Sequence, residues 1–368
     1  MSKVQKSKKT HNENPSAQAC GFLLMDKPVG ITSFRLIGPI KYHFKPAKTG
    51  HAGTLDQDAR GLMIVAVGRA SRLLQYAEGA HKTYEFTLHL GRETVSAEYF
   101  HQEVLQDIEG QTLTTTELLK LLPIFTGKIK QTPPQYSAVK VDGKRASDRA
   151  RAGEEVLLKS REIEILSLEV IDEDALNSPE EPRASFRLKC HCSKGTYIRS
   201  LVVDLAKEAN LLGAVSDIYR TQIGSWKIED AHSLQDFRDQ AASFEDAEGV
   251  VDKESKLIEL SKFLTPPHEF FPEWPLAVAG EAAEAKFTQG MKQRQDFVKS
   301  MIKIDKKNLE SNDTAAKDSM NTDPLNAIVK FDANQWKSKP GFILNQAGEL
   351  ICMAQTVDDQ LTPKIVFK

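Results

Sequence analysis

Cysteine is scarce in this chain, and so are long apolar runs. Its 368 residues include four cysteines without any C-x-x-C pair, which argues against a disulfide framework. Cys190 and Cys192 flank His191, but an alternating strand turns the histidine to the opposite face, which favours two buried thiols over a metal site. No apolar run is long enough to span a membrane. Residues 1–19 lack the apolar stretch of a signal peptide, so a cytoplasmic location is expected by elimination.

Charge is balanced overall but uneven along the chain. The formal net charge is −2, although residues 1–50 carry nine Lys/Arg against two acidic residues. Residues 128–159 carry eight basic against four acidic residues, and residues 229–262 carry ten acidic against four basic. Local basic segments can bind phosphates. Charge alone nevertheless favours a solvated surface with an uneven distribution.

The apolar pattern predicts an α+β fold with a mixed, mostly antiparallel sheet. Residues 84–90 and 186–192 alternate with a period of two, as half-buried antiparallel strands do. The continuous apolar run 62–67 indicates a strand buried on both faces. An amphipathic helix is predicted from Ile198 to Leu212, with Gly213 as its C-cap.

These patterns suggest a division of the chain into segments. Residues 1–20 have the composition of a disordered basic tail. A catalytic domain is expected over 21–265, with an insertion at about 128–159. A small strand-rich domain is expected over 266–368, with strands near 276–287, 297–304, 327–331 and 342–357. A polar insertion is expected there at about 305–324.

Two residues stand out chemically. Asp56 ends the glycine-containing stretch Gly50–Asp56 just before a buried strand, where a carboxylate suits nucleophilic or acid–base chemistry; the alternative is a turn aspartate that caps its own backbone. Arg199 lies in the first turn of the predicted helix, where the dipole disfavours a cation. A carboxylate or phosphate partner is therefore expected, unless Arg199 is a tolerated surface residue. Tyr84 and Tyr197 fit either base stacking or an ordinary core.

Five motifs in order resemble the TruB-type tRNA pseudouridine synthases of bacteria. The motifs lie between residues 21 and 226, and a weaker resemblance from about Phe270 is to that family's PUA-like domain. The motifs read GFLLMDKPVGITS at 21–33, GHAGTLD at 50–56, KTYE at 82–85, QTPP with YSAVK at 131–140, and CSKGTYIRSL at 192–201.

The resemblance implies a fold of the pseudouridine synthase type and isomerisation of a uridine in the T-loop of tRNA. Asp56 would be the nucleophile and Arg199 its partner. Tyr84 would stack on the target base and assist removal of the C5 proton, and His51 would fill the space left by the flipped nucleotide. Tyr197 and Ile218 would line the pocket, and Lys27 and Pro28 would support the active site. The residues of the insertion that would grip RNA are Lys140, Lys144, Arg145 and Arg149.

The resemblance further implies no metal or organic cofactor, the T-arm of tRNA as partner, and a monomer. Four departures from the family pattern put RNA affinity and loop geometry in question: Gln57, Glu98, Asp148 and Tyr219. Two other readings stay open. One is a guide-RNA-dependent synthase of ribosomal RNA, and the other is a non-catalytic protein that binds or folds tRNA on the same scaffold.

Overall fold

The computed structural model describes residues 19–154, 156–244, 253–294, 336, 339–357 and 360–367. The strands among these residues are β1 Gly21–Lys27, β2 Thr49–Ala52, β3 Arg60–Val67, β4 Lys82–Leu90, β5 Arg92–Thr94, β6 Val104–Asp107, β7 Gly127–Gln131, β8 Lys140–Val141, β9 Lys144–Arg145, β10 Arg161–Val170, β11 Ser185–Cys192, β12 Gly213–Ile223, β13 Trp226–Lys227, β14 His232–Ser233, β15 Leu276–Val278, β16 Gln293–Arg294, β17 Gly341–Leu344, β18 Leu350–Val357 and β19 Gln360–Val366.

The α-helices of the described residues are α1 Ser33–His43, α2 Leu74–Glu78, α3 Thr115–Leu121, α4 Ala146–Arg151, α5 Glu173–Asn177, α6 Ile198–Glu208, α7 Leu234–Ala242, α8 Lys253–Ser261, α9 Pro267–Phe270 and α10 Glu281–Thr288. Short 3-10 helices span Gly68–Leu73, Leu122–Phe125 and Ile228–Asp230.

A large sheet runs through the N-terminal two thirds of the chain. Its strand order is β14-β1-β3-β12-β4-β11-β10-β7, with β2 paired to β3 and β13 paired to β12. Among the described strands of this sheet, only the β1–β14 and β3–β12 pairs are parallel. The predicted α+β fold with a mixed, mostly antiparallel sheet is therefore confirmed.

The two halves of the sheet join at β3, β12 and β4, and the register there brings distant residues together. Gly61 of β3 lies beside Arg220 of β12, and Arg220 lies beside Tyr84 of β4. Gly61 has φ +110°, and a Cβ there would lie 2.3 Å from the Arg220 carbonyl oxygen. Only glycine therefore permits this close approach.

Strand β3 is buried on both faces, as its continuous apolar run predicts. One set of its alternating side chains, including Met63 and Val65, packs with the apolar faces of α1 and α6. The other set, including Leu62 and Ile64, packs against aromatic residues that begin at Phe270. The nucleophile candidate Asp56 thus directly precedes one of the most constrained strands in the molecule.

The C-terminal residues form a second, five-stranded sheet of order β15-β17-β18-β19-β16. Within the predicted strand segment 276–287 only Leu276–Val278 is extended, because α10 begins at Glu281. The strands predicted near 297–304 and 327–331, the polar insertion at 305–324, and residues 1–18 of the tail lie outside the described residues.

Helix α6 ends earlier than predicted. It stops at Glu208, and Asn210 adopts φ +57°, a left-handed conformation that asparagine tolerates better than most residues. Gly213 is therefore not the C-cap but the first residue of β12. A Cβ at Gly213 would lie 2.4 Å from the Ala206 side chain, so the glycine serves close helix–strand packing.

Phe270 stacks on residues of the large sheet within an aromatic cluster that also includes residues of the second sheet, and it yields a stability prediction. Its ring stacks on Phe22 at 4.1 Å and on Trp226 at 4.5 Å between centroids. Phe270→Ala should lower the free energy of unfolding by about 3–5 kcal/mol, because the truncation removes buried area and leaves a cavity. Phe100→Ala is the matched control; since Phe100 is 77% exposed, its cost should stay within about 0.5 kcal/mol. Urea unfolding of both variants measures this, and equal costs would contradict the assigned role of Phe270.

Candidate active site

The loop that carries Asp56 is fixed by two buried polar residues. The Ser33 hydroxyl donates to the Leu55 carbonyl and accepts from the Leu55 amide, both at 3.0 Å. Lys27 Nζ donates to the carbonyls of Pro28, Ile31 and Gln57 at 3.0, 2.8 and 3.2 Å. Burial lowers the pKa of Lys27 to about 8, against the opposing charges of Asp58 and Asp56. Because Gln57 contributes its backbone carbonyl, this contact does not depend on the side chain at that position.

Arg199 joins the Asp56 loop to two other segments. Its guanidinium is 3% exposed, with Nε 2.9 Å from Asp56 Oδ2. The Nε–H does not point along a hydrogen-bonding direction, so the contact is an ion pair and not a linear hydrogen bond. The two terminal nitrogens donate to the carbonyls of Ser96 at 3.1 Å and Tyr136 at 2.8 Å. Of the alternatives left open by the helix dipole, the structure shows the carboxylate partner, and Arg199 is not a surface residue.

Tyr84 and Arg220 line the cavity beside Asp56. Arg220 is 1% exposed and donates to the carbonyls of Leu62 and Gly53, both at 2.8 Å. Burial raises the pKa of the Tyr84 phenol, while the neighbouring Arg220 guanidinium opposes the shift. The phenol therefore keeps its proton at neutral pH.

Tyr197 is held from both its backbone and its ring. The Gln131 side chain accepts from the Tyr197 amide at 2.8 Å and donates to its carbonyl at 3.0 Å. The Arg161 guanidinium lies over the Tyr197 ring, 4.9 Å from its centroid, and donates to the Gly195 carbonyl. These contacts fix the start of α6 and therefore the position of Arg199.

These groups surround a cavity of about 430 Å³, a size typical of small-ligand sites. Its lining includes Asp56, Tyr84, Tyr197, Arg199 and Arg220. Lys82 also lines it; its Nζ donates to the Glu78 and Ala80 carbonyls at 2.6 Å each, and burial lowers its pKa to about 8. The carboxylates of Asp56 and Glu78 thus share this cavity with several cations and two tyrosines.

Two residues expected at the pocket, His51 and Ile218, lie outside this cavity. His51 is half-buried on β2, and its Nδ1 has no hydrogen-bond partner among the described residues. Burial lowers the His51 pKa, and Arg220 adds to that shift. Ile218 lines an adjoining cavity of about 340 Å³ with Asp58 and Glu98. Burial raises the pKa of Glu98, against the attraction of Arg199, so Glu98 is a second acid close to the ion pair.

The candidate RNA-binding residues Lys140, Lys144, Arg145 and Arg149 line one concave surface of the insertion. Arg149 is already paired there, because its Nε lies 2.6 Å from Glu154 and its Nη1 4.0 Å from Asp142. Asp148 lines the same surface and pairs with Arg151 at 3.4 Å. Part of the positive charge of the insertion is therefore neutralised within it.

Arg161 and Arg220 are site residues that the sequence did not single out. Arg161 opens a strand and carries no local signal, because its partner Tyr197 is 36 positions away along the chain. Arg220 had a weak signal, a cation within the largely buried strand β12. Within the described ranges, no group of three or more His, Cys, Asp or Glu residues is placed to hold a metal. No described helix is long and apolar enough to cross a membrane.

Solved structures share this fold over nearly the whole chain. An H/ACA RNP bound to a substrate RNA containing 2′-deoxyuridine includes a chain with TM-score 0.60 and 19% identity, over 96% of this chain and 86% of that one. A Cbf5–Nop10–Gar1 complex includes one with TM-score 0.59 and 21% identity, over the same shares. At such identities the likeness shows the fold alone.

Sequence relatives identify the family. The "tRNA pseudouridine synthase B" of Brucella melitensis is 38% identical over 221 residues, which is 58% of this chain but 63% of that protein. The protein of the same name from Chelativorans sp. is 35% identical over 277 residues, or 73% of this chain and 82% of that protein. The family model described as TruB family pseudouridylate synthase (N terminal domain) matches residues 41–198. The chain therefore belongs to the TruB family of pseudouridine synthases.

Proposed function

We propose that this protein converts a uridine in the T-loop of tRNA (position 55) to pseudouridine, with Asp56 as the nucleophile. The observation that carries the proposal is the Asp56–Arg199 ion pair at the wall of a nucleoside-sized cavity lined by Tyr84 and Tyr197. The names of the bacterial relatives supply the substrate class. A T-loop uridine is enclosed in folded RNA, so it must be flipped into the cavity at a cost of a few kcal/mol.

The proposed reaction exchanges one bond for another within the same nucleotide. Asp56 initiates scission of the C1′–N1 bond, the base rotates in the cavity, and a C1′–C5 bond forms. The C5 proton leaves to solvent and N1 takes up one proton from solvent, while the Asp56 carboxylate is released unchanged, so the product is an isomer of the substrate and needs no oxidant or cofactor. Tyr84 keeps its phenolic proton, which supports stacking on the base as its main role. The group of Tyr84 that would assist removal of the C5 proton is its phenolic hydroxyl.

The other residues are proposed to position the reacting groups. Arg199 orients the Asp56 carboxylate, while Lys27 and Pro28 support the loop that carries it. Tyr197 and Ile218 bound the space for the base. His51 is proposed to occupy the gap in the RNA, because it lies half-buried on β2, five residues before Asp56. Lys140, Lys144, Arg145 and Arg149 are proposed to contact phosphates, and the protein is proposed to act as a monomer on the T-arm.

Asp56→Asn tests the proposed nucleophile. The variant should bind tRNA within about three-fold of wild type but release less than about 1% as much tritium from tRNA labelled at uridine C5, since the amide cannot act as the covalent nucleophile. Asp58→Asn is the matched control, because it makes the same chemical change at an exposed residue two positions away. Substantial tritium release by Asp56→Asn, or equal losses in both variants, would refute the assignment.

Arg199→Lys tests whether the planar guanidinium positions Asp56. Lysine keeps the charge but cannot contact Asp56, Ser96 and Tyr136 together, so the single-turnover rate should fall roughly 100-fold while tRNA affinity changes little. Arg60→Lys serves as the control, because the Arg60 guanidinium stacks on the Tyr219 ring at 3.7 Å without lining the cavity. A rate for Arg199→Lys close to that of the control would count against the positioning role.

A further inference from the structure

Helix α1 presents an exposed face on which aromatic and basic residues alternate. Phe34 and Tyr42 are 70% and 69% exposed, large fractions for aromatic side chains. Arg35 and Lys41 are exposed on the same helix. Ser33, Leu36, Ile37 and Ile40 form the opposite, buried face. The exposed aromatic residues are therefore not part of the core, and the fold does not require them there.

The segment around α1 is free of acidic residues. Between Asp26 and Asp56 the chain holds five Lys/Arg and no Asp or Glu. Lys27 is buried, which leaves Arg35, Lys41, Lys45 and Lys48 exposed. Among the described residues none of these four forms an ion pair, whereas Arg149 and Arg151 of the insertion do. The α1 cations thus remain available to an external anion.

The shape of this face suits an extended, stacked ligand. Phe34 and Tyr42 are eight residues apart, about 12 Å along the helix axis. Gly38 lies midway, and a Cβ built there would meet nothing within 4 Å. The surface between the two rings is therefore open. Lys45 Nζ lies 5.9 Å from the Tyr42 ring centroid, so ring and cation can act on one ligand. Interleaved rings and cations are the usual means of binding an RNA strand.

The helix is physically continuous with the candidate active site. Its first residue, Ser33, makes both hydrogen bonds to Leu55, next to Asp56. The Gly30 amide donates to the Gln57 carbonyl at 2.9 Å, and Lys27 ties the same two loops together. RNA whose uridine reaches Asp56 therefore passes close to the N-terminal end of α1.

We propose that the exposed face of α1, formed by Phe34, Arg35, Gly38, Lys41, Tyr42 and Lys45, is a second contact surface for the substrate RNA. Its cations bind phosphates of the strand that leaves the cavity, and Phe34 and Tyr42 stack on bases of that strand. The inference rests on the proposed function, because it takes the RNA at Asp56 as given. It places more of the electrostatic binding on α1 than the basic composition of the insertion alone suggested.

Filter binding of a tRNA transcript across a salt series tests this surface. Lys41→Gln with Lys45→Gln should raise the Kd roughly ten-fold near 0.1 M salt and lower the salt slope by about two units, because two phosphate contacts are lost. The control is Lys120→Gln with Lys207→Gln, which removes the same charge from exposed residues of α3 and α6. Those two lysines each have an acidic residue three positions earlier, and the control should change the Kd by less than about two-fold.

Phe34→Ala tests the stacking component separately. It should raise the Kd roughly five-fold or more at every salt concentration with an unchanged slope, since stacking releases no counterions. Ile124→Ala, which truncates a 54% exposed side chain elsewhere, should leave the Kd at the wild-type value. All of these variants should keep the wild-type rate of tritium release at saturating enzyme, because none of the six changed sites touches Asp56.

The outcomes separate the two proposals. Equal affinity and slope for wild type and the α1 variants, or equal losses in the α1 and control variants, would overturn the α1 surface. Absence of tritium release by the wild-type protein would instead overturn the proposed function, whatever the binding data show. Loss of binding in the α1 variants alone, with single-turnover rates intact, supports the surface as an RNA contact.

Discussion

The buried guanidinium of Arg199 is the contact on which the rest of the candidate site depends. It reaches the carboxylate of Asp56 and the carbonyls of Ser96 and Tyr136, three segments that no other described side chain joins in this way. A buried cation without such partners would cost several kcal/mol. Burial of Arg199 at the start of α6 is therefore offset by the nucleophile loop, the turn after β5 and the insertion together. The dipole of α6 adds to that requirement, because the helix N-terminus repels the charge unless Asp56 faces it.

The pairing of strands in the large sheet fixes the backbone positions on which the Asp56–Arg199 contact depends. The β3–β12–β4 register aligns Gly61, Arg220 and Tyr84, and the absence of a side chain at Gly61 lets β12 approach the strand that follows Asp56. Ser33 and Lys27 then fix the loop itself through backbone atoms. Support of this kind through backbone atoms does not depend on the side chain at position 57. It also leaves the α1 face free to meet RNA, since the inner face of α1 alone serves the core.

Local patterns in the sequence predicted much of the fold, and long-range contacts explain the rest. The alternation along β4 and β11 and the apolar run of β3 were sufficient to predict these strands, because each pattern reflects the burial of a single strand. A cation in the first turn of a helix indicated that Arg199 needs an anionic partner, and the resemblance to the family indicated that the partner is Asp56. The roles of Arg161 and Gln131 could not be predicted, since their partner Tyr197 is brought near only by the pairing of distant strands. The early end of α6 was missed because Asn210 and the packing of Gly213, not the apolar period, end the helix.

The central claim is that Asp56 and its surroundings isomerise one uridine in the T-loop of tRNA. Carbodiimide treatment followed by primer extension locates pseudouridine directly on an unmodified tRNA transcript incubated with the purified wild-type protein and no other factor. The account predicts a single new stop, at the T-loop uridine, that grows with time and is absent without protein. The account is contradicted if no stop appears at saturating protein, or if the stop lies outside the T-loop.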